Sequence, residues 1–315
     1  ALEAIAELAD RGAELIVLPE HADFIGPDSS KEEQARTIDN SPYLDTLRTR
    51  AADLGCHIHI GSYLERAGKS IYNCAVVFGP DGELVARYRK LHLFDVEIPG
   101  GKKYLESAVI SPGLETVQFS IGEFNFGLAT CYDLRFPELF RRLVQKGANV
   151  ILLPAAFTMQ TGRDHWEVLV RARAIENLCW VVGVGQWGEA PPDHLCFGRS
   201  MVVDPWGLVV AQAPDGAVNV TAEIDLHSVQ RVRARFPALD HVREDILNFY
   251  QAVQLIFTTV RPRTEPAMIA AAASGRSASE ISLTRPSSRS RSRSLTRRCQ
   301  ACSRTASEAI TESIP

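Results

Sequence analysis

Apolar residues along this chain follow two rhythms that alternate. Leu2, Ile5, Leu8 and Leu15 recur at helical spacing, with Gly12 placed to stop the first helix. Residues 15–18 form a short apolar run closed by Pro19 and Glu20, which predicts a buried strand with a carboxylate just past its C-terminal end. Strands are predicted over 58–64 and 73–78, then a turn at Gly79-Pro80-Asp81-Gly82 and a return strand over 83–90 that ends on Lys90. Residues 117–119 and 124–130 form a strand pair around Gly122, and the second runs straight into Cys131. A helix follows over 136–146, with Leu139, Leu143 and Val144 on one face and Gly147 closing it. Then come a strand at 150–153, a loop at 154–162, and a helix at 165–178 carrying Trp166, Leu169, Val170 and Ile175. A strand at 180–184, a hairpin of 201–203 and 208–211 around Asp204-Pro205-Trp206-Gly207, a last strand at 218–224 and a last helix at 226–235 complete the pattern.

Strands alternating with helices, with hairpins between, predict an α/β layered domain. Glu20, Lys90 and Cys131 all fall at predicted strand ends. Sites in α/β folds gather at the carboxyl ends of strands, so these three residues are expected to meet.

The pattern stops near residue 260. From Arg261 onward there are ten Arg and four Glu with no Lys or Asp, a charge of +6, which leaves -10 for the rest of a chain whose net charge is -4. This segment has no Phe, Tyr or Trp and contains Ser288-Arg289-Ser290-Arg291-Ser292-Arg293-Ser294. It lacks the apolar surface that offsets ordering entropy. The reading is therefore a folded domain over 1–260 and a disordered Ser/Arg-rich tail over 261–315. The repeat resembles RNA-associated arginine–serine segments, but a passive solvated tail is the simpler reading, and no nucleic acid is expected on the acidic body. No apolar run is long enough to cross a bilayer and no secretory signal is visible. The seven Cys are odd in number and scattered through apolar segments. They read as reduced thiols and, with the other two signs, place the protein in the cytoplasm.

Hydrolysis of an amide without a metal requires a nucleophile, a base, a positive group for the developing oxyanion, and a proton for the leaving amine. Cys131, in Leu128-Ala129-Thr130-Cys131-Tyr132-Asp133, is the candidate nucleophile, because a sharp turn after a strand exposes its side chain and aims a backbone N–H at the substrate. Glu20 is the candidate base and Lys90 the oxyanion partner, and a neighbouring Lys is also expected to raise the thiolate population of the cysteine. Cys56-His57-Ile58-His59 puts only two His on one strand face, and Cys299-x-x-Cys302 has no second pair, so neither makes a zinc site. His92 and His165 read as structural. No Gly-rich phosphate loop and no Gly-x-Ser-x-Gly elbow is present.

Leu18-Pro19-Glu20, Tyr88-Arg89-Lys90-Leu91-His92-Leu93-Phe94-Asp95 and Cys131-Tyr132-Asp133-Leu134-Arg135-Phe136-Pro137-Glu138 together resemble the Glu-Lys-Cys motifs of the nitrilase superfamily. The likeness covers roughly residues 1–250 and extends to Glu106, in Tyr104-Leu105-Glu106-Ser107, as the family's second glutamate. Asp95-Val96-Glu97-Ile98-Pro99-Gly100, residues 165–176 and Ser200-Met201-Val202-Val203-Asp204-Pro205-Trp206-Gly207 point to the branch of deaminated glutathione amidases, with the omega-amidase branch second and true nitrilases third. The resemblance implies a four-layer αββα sandwich, a homodimer or higher homo-oligomer, no cofactor, and hydrolysis of small carboxylated linear amides through a thioester. It also implies roles: Glu20 as base, Lys90 and the Tyr132 N–H around the oxyanion, and Glu106 orienting Lys90 or the substrate. Arg135 or Arg173 would hold the substrate carboxylate, though Arg173 fits a structural ion pair better. Family members open with a strand before the first helix, whereas this chain begins inside that helix, so the expectation is an N-terminally truncated domain with an exposed sheet edge. The alternative of a different class is an inactive scaffold with the same fold.

Overall fold

The computed structural model describes residues 1–97, 103–191 and 194–243, all within one compact unit, Ala1–Gln251. The tail at 261–315, with Cys299 and Cys302, lies outside the described residues. The chain opens with α1 (Leu2–Asp10), β1 (Leu15–Val17), α2 (Asp28–Gln34) and α3 (Pro42–Leu54). Strands β2 (His57–Ala67), β3 (Ser70–Phe78) and β4 (Leu84–Arg89) follow, then a small hairpin of β5 (Asp95–Glu97) and β6 (Lys103–Leu105). The second half carries β7 (Gln118–Ile121), β8 (Phe124–Leu128), α4 (Pro137–Gln145), β9 (Val150–Ala155), α5 (Met159–Asn177) and β10 (Trp180–Gly185). It ends with β11 (Trp187–Ala190), β12 (His194–Phe197), β13 (Met201–Val203), β14 (Val209–Gln212) and α6 (Leu226–Arg235).

Two sheets form, in the orders β1-β2-β3-β4 and β14-β13-β10-β9-β8-β7. Strand alternation sorts their side chains into layers. Ile16, Ile58 and Phe78 share one face of the first sheet through their register and pack on Ile5 of α1 and Leu44 and Leu47 of α3. The opposite face sends Ala75 and Val77 against Phe126, Leu128, Val150 and Leu152 of the second sheet. The far face of that second sheet, with Ile151, Leu153 and Val181, is covered by Leu139, Phe140 and Leu143 of α4 and Trp166 and Val170 of α5. Helix, sheet, sheet, helix is the four-layer αββα sandwich that the resemblance implies. The central strands β3, β9 and β10 are buried on both faces, which is why they read as largely apolar runs, whereas the edge strands β4 and β14 keep an exposed face. Among the described residues no helix is long and apolar enough to cross a membrane.

The expected elements are present with two shifts. Residues 218–224 form no strand. The apolar residues of this stretch are not sunk on one side, and Val218 is half exposed, so alternation of residue types is not matched by alternation of burial. The segment is held by side chains instead: Asn219 Nδ2 donates to Glu7 Oε2 at 2.7 Å, and the Asp225 carbonyl accepts from Trp180 Nε1 at 2.9 Å. Helix α5 begins at Met159 rather than His165, because Thr158 caps it by accepting from the Thr161 N–H at 3.3 Å.

One glycine sets how closely the two sheets approach near the site. A Cβ on Gly61 would lie 2.1 Å from the Leu18 carbonyl oxygen, 2.5 Å from that of Pro19 and 2.4 Å from Pro154 Cβ. The strand that delivers Glu20 is thereby pressed against the end of β9.

His59 is a different matter. It is fully buried, lies in register with Val17 and Val77 on the face between the sheets, and neither ring nitrogen has a hydrogen-bond partner. Burial pushes its imidazole down from an ordinary 6.5 to about 3. The unfolded chain therefore takes up a proton below pH 6.5 that the folded protein refuses. Stability is lost as pH falls through that window, by about 2 kcal/mol between pH 8 and pH 5 from this residue alone. His59→Leu, of similar volume, is expected to raise Tm in thermal melts, and to raise it more at pH 5 than at pH 8. An equal loss at both pH values would mean that the imidazole is satisfied in the folded protein.

Candidate active site

Four strand ends or turns converge at one side of the sandwich. Strand β1 continues through Leu18, whose N–H donates to the His59 carbonyl at 2.8 Å, to Glu20. Strand β4 ends at Lys90, whose N–H donates to the Asn73 carbonyl of β3 at 2.9 Å. The chain after β8 enters a 3-10 turn, Cys131–Arg135. Glu106 opens another 3-10 turn directly after β6. These loops deliver Glu20, Lys90, Glu106 and Cys131 to one cavity of about 280 Å³, near the lower end for small-molecule sites.

The charged groups form a compact, buried set. Lys90 Nζ lies 3.0 Å from Glu20 Oε1 and 2.8 Å from Glu106 Oε2. Glu20 Oε2 accepts the Ala156 N–H at 2.8 Å, and Glu106 Oε2 accepts the Phe94 N–H at 2.7 Å. Asn73 Nδ2 donates to both carboxylates, at 2.9 Å to Glu20 Oε1 and 3.2 Å to Glu106 Oε1. Burial alone pushes the Glu20 carboxyl up. The Lys90 ammonium, His21, and hydrogen bonds from Cys131 and Lys90 outweigh it and hold the group down at about 2. For Lys90, burial disfavours the ammonium, yet the Glu106 and Glu20 carboxylates win and hold its pKa well above the ordinary range. The Cys131 thiol is pushed well above its ordinary value by burial and by the Glu20 charge, against a weaker pull from Lys90. Lys90 does favour the thiolate, as expected, but burial and the Glu20 charge outweigh it, so the balance favours a Cys131 thiol beside a Glu20 carboxylate.

Cys131 sits at φ 49°, a left-handed conformation for a residue with a Cβ. The turn that imposes this is held by Asp133, which is fully buried. Its Oδ2 accepts from Tyr88 Oη at 2.6 Å and the Thr130 N–H at 2.8 Å, and its Oδ1 from the His92 N–H at 3.0 Å. The His92 ring reaches Asp133 Oδ1 through Nδ1 at 2.7 Å and stacks on Phe136 with centroids 3.7 Å apart. His92 thus has the structural place expected for it. The Tyr132 N–H lies in the first turn, where N–H groups have no intrahelical acceptor.

The two arginines part company. Arg135 lines the cavity with its guanidinium 5.6 Å from the Phe157 ring centroid and 6.0 Å from that of Tyr132. It meets His165 Nδ1 at 3.3 Å, and no carboxylate pairs with it among the described residues. Arg173 does not line the cavity. Its Nε and Nη2 donate to the Leu134 carbonyl at 2.9 and 2.6 Å, and Nη1 pairs with Glu176 at 2.9 Å. As a carboxylate binder it is corrected: all its directions are spent on tying α5 to the Cys131 turn. Lys31 and Lys103 also line the cavity. Among the described residues no cluster of three or more His, Cys, Asp or Glu is arranged to hold a metal ion.

Sequence reasoning passed over Asn73 and Asp133. Asn73 carried a signal, a polar residue inside the apolar run of β3. Asp133 carried another, three residues after Thr130 in a capping-box pattern. Backbone donors such as Ala156 N–H have no signature in sequence.

The match to known proteins covers the same region. A family model described as carbon-nitrogen hydrolase matches residues 1–234. A deaminated glutathione amidase of Synechocystis is 42% identical over 246 residues, covering 76% of this chain and 90% of that protein. An omega-amidase of Xenopus tropicalis is 35% identical over 248 residues, covering 78% and 89%. Among solved structures, the NitFhit protein of C. elegans superposes with a TM-score of 0.73 at 37% identity, over 78% of this chain and 60% of that one. Fold, motif order and extent of match agree, and the chain belongs to the carbon-nitrogen hydrolase family of the nitrilase superfamily.

Proposed function

We propose that this protein is a cysteine-dependent amidase that hydrolyses a small carboxylated linear amide through a thioester, most similar in substrate to the deaminated glutathione amidases. The observation that carries this reading is the buried set in which Lys90 bridges Glu20 and Glu106 beside Cys131. The 42% identity to a deaminated glutathione amidase supports the substrate class. The omega-amidase reading stands second, on 35% identity.

In the proposed cycle, Glu20 takes the Cys131 proton as sulfur attacks the amide carbon. Transfer and attack are coupled, because a carboxylate held near 2 is a poor base for a thiol held well above its ordinary value. The oxyanion forms beside the Lys90 ammonium and the Tyr132 N–H, donors already in place and shielded from water. Its collapse breaks the C–N bond, and the Glu20 proton leaves on the amine. Water then attacks the thioester and gives a proton to Glu20. The C–S bond breaks, the acid departs, and the Glu20 proton returns to sulfur. Glu106 holds Lys90 from the other side throughout. Arg135, unpaired with any carboxylate among the described residues, is the cation for the substrate's carboxylate, and its ring neighbours orient the guanidinium.

Two tests follow from this reading. Ammonia and acid release are measured on deaminated glutathione, α-ketoglutaramate, succinamate and one simple nitrile. Turnover of one of the amides is expected, falling by about 10⁴-fold or more in Cys131→Ala. Turnover that survives that substitution would sink the mechanism. Arg135→Gln is expected to raise KM about 10-fold or more for the carboxylated amide, while leaving an uncharged amide of equal length unaffected. An equal effect on both amides would remove Arg135 as the carboxylate partner.

A further inference from the structure

We propose that Asn73 is a positioning residue, whose side-chain amide ties Glu20 to Glu106 across Lys90 and keeps Glu20 ionised with one defined oxygen free for the Cys131 proton. The inference rests on the amidase reading for its catalytic meaning, and on geometry for its content.

The two hydrogens of one NH2 group serve two different carboxylates, Glu20 Oε1 at 2.9 Å and Glu106 Oε1 at 3.2 Å. The same residue receives the Lys90 N–H on its backbone carbonyl at 2.9 Å. Asn73 therefore registers all three charged groups at once. Its own Oδ1 is buried without a partner. An unpaired buried acceptor is costly, and the apolar run that follows, Cys74-Ala75-Val76-Val77, shows what the strand otherwise carries. The other amide orientation would turn Oδ1 onto two carboxylates, so repulsion locks the donors inward.

Counting acceptors on Glu20 shows what this accomplishes. Oε1 takes Lys90 at 3.0 Å and Asn73, while Oε2 takes the Ala156 N–H at 2.8 Å, and the Cys131 thiol also hydrogen-bonds to this carboxylate. The open lone pair lies on Oε2, and the thiol proton goes there. Around Glu20 stand Lys90 from the end of β4, His21 from its own loop, Glu106 from the turn after β6, and Cys131. Cys196 of β12 feels its charge, and Lys31 of α2 acts on the neighbouring His21. Apart from the Cys131 thiol itself, Asn73 is the neutral side chain that donates to Glu20 within this set. A neutral donor holds the carboxylates together without cancelling the negative charge that Glu20 needs as a base.

The test reads Cys131 directly. Iodoacetamide alkylation of Cys131, located by peptide mass spectrometry, is followed from about pH 2 to pH 8 beside amide turnover, in brief exposures at the acid end. Variants are Asn73→Ala and the isosteric Asn73→Asp, with rates normalised to folded protein by circular dichroism. Asn73→Ala is expected to slow both reactions about 10- to 100-fold at neutral pH. It should also move the acid limb up by about one pH unit or more, since Glu20 then protonates more readily, with KM little changed. Asn73→Asp is expected to lose more, because it replaces two donors by a third carboxylate in the same volume. If Asn73→Asp does not fold, the Asn73→Ala limb still decides. A folded Asn73→Ala with the wild-type acid limb, whatever its rate, overturns the proposal and leaves a packing role. Wild-type protein that is alkylated at Cys131 yet turns over no amide would defeat the amidase reading instead, while the alkylation limb still reports on Asn73.

Discussion

The burial of the Lys90 ammonium between two carboxylates is the constraint around which the rest of this structure is arranged. Three charges sit at 8% exposure or less, with Lys90 at 2% and Glu20 at 1%. Removing charges from water costs several kcal/mol each unless every one is paired and its remaining sites are hydrogen-bonded. Here the pairing comes from elements far apart in sequence. Glu20 follows β1, Lys90 ends β4, Glu106 follows the β5–β6 hairpin, and the Ala156 N–H comes from the end of β9. The site cannot form until both sheets have packed, so the αββα sandwich and the buried charge set are one structural event.

The Cys131 turn is held by a second buried carboxylate that stays apart from the first set. Asp133 converts the end of β8 into a 3-10 turn by accepting from Tyr88, Thr130 and His92, and Arg173 fixes the same turn from α5 through the Leu134 carbonyl. The left-handed backbone at Cys131 is thus over-determined from both sheets and one helix, as a strained position must be. One set of charges shifts the protonation of Glu20 and Cys131, and the other sets where sulfur lies.

Much of this was legible before any coordinates. Apolar alternation located β1, β2, β3, β8, β9 and β10 to within a few residues, because these strands are largely buried and their ends fall at Pro, Gly or charge. The failures have common causes. Residues 218–224 alternate like a strand, but there the alternation of residue types is not matched by alternation of burial. The start of α5 at Met159 depended on Thr158 as cap, a weak local signal. The hairpins β5–β6 and β11–β12, which frame the cavity mouth, are too short and polar to give a period. Sequence already favoured a structural ion pair for Arg173, and packing showed that Arg135 lines the cavity while Arg173 is held by the Leu134 carbonyl and Glu176.

By itself the sequence determined the layered α/β class and the acidic body, and it singled out Glu20, Lys90, Cys131 and Glu106 as candidates that the fold then brings to one cavity, because motif chemistry and strand ends are local properties of the chain. Tertiary structure alone decided which oxygen of Glu20 faces which donor, that Cys131 rests as a thiol, and that Asn73 joins two carboxylates. Those outcomes depend on burial and on distances near 3 Å between residues dozens of positions apart, and desolvation exists only once the sheets have closed over them.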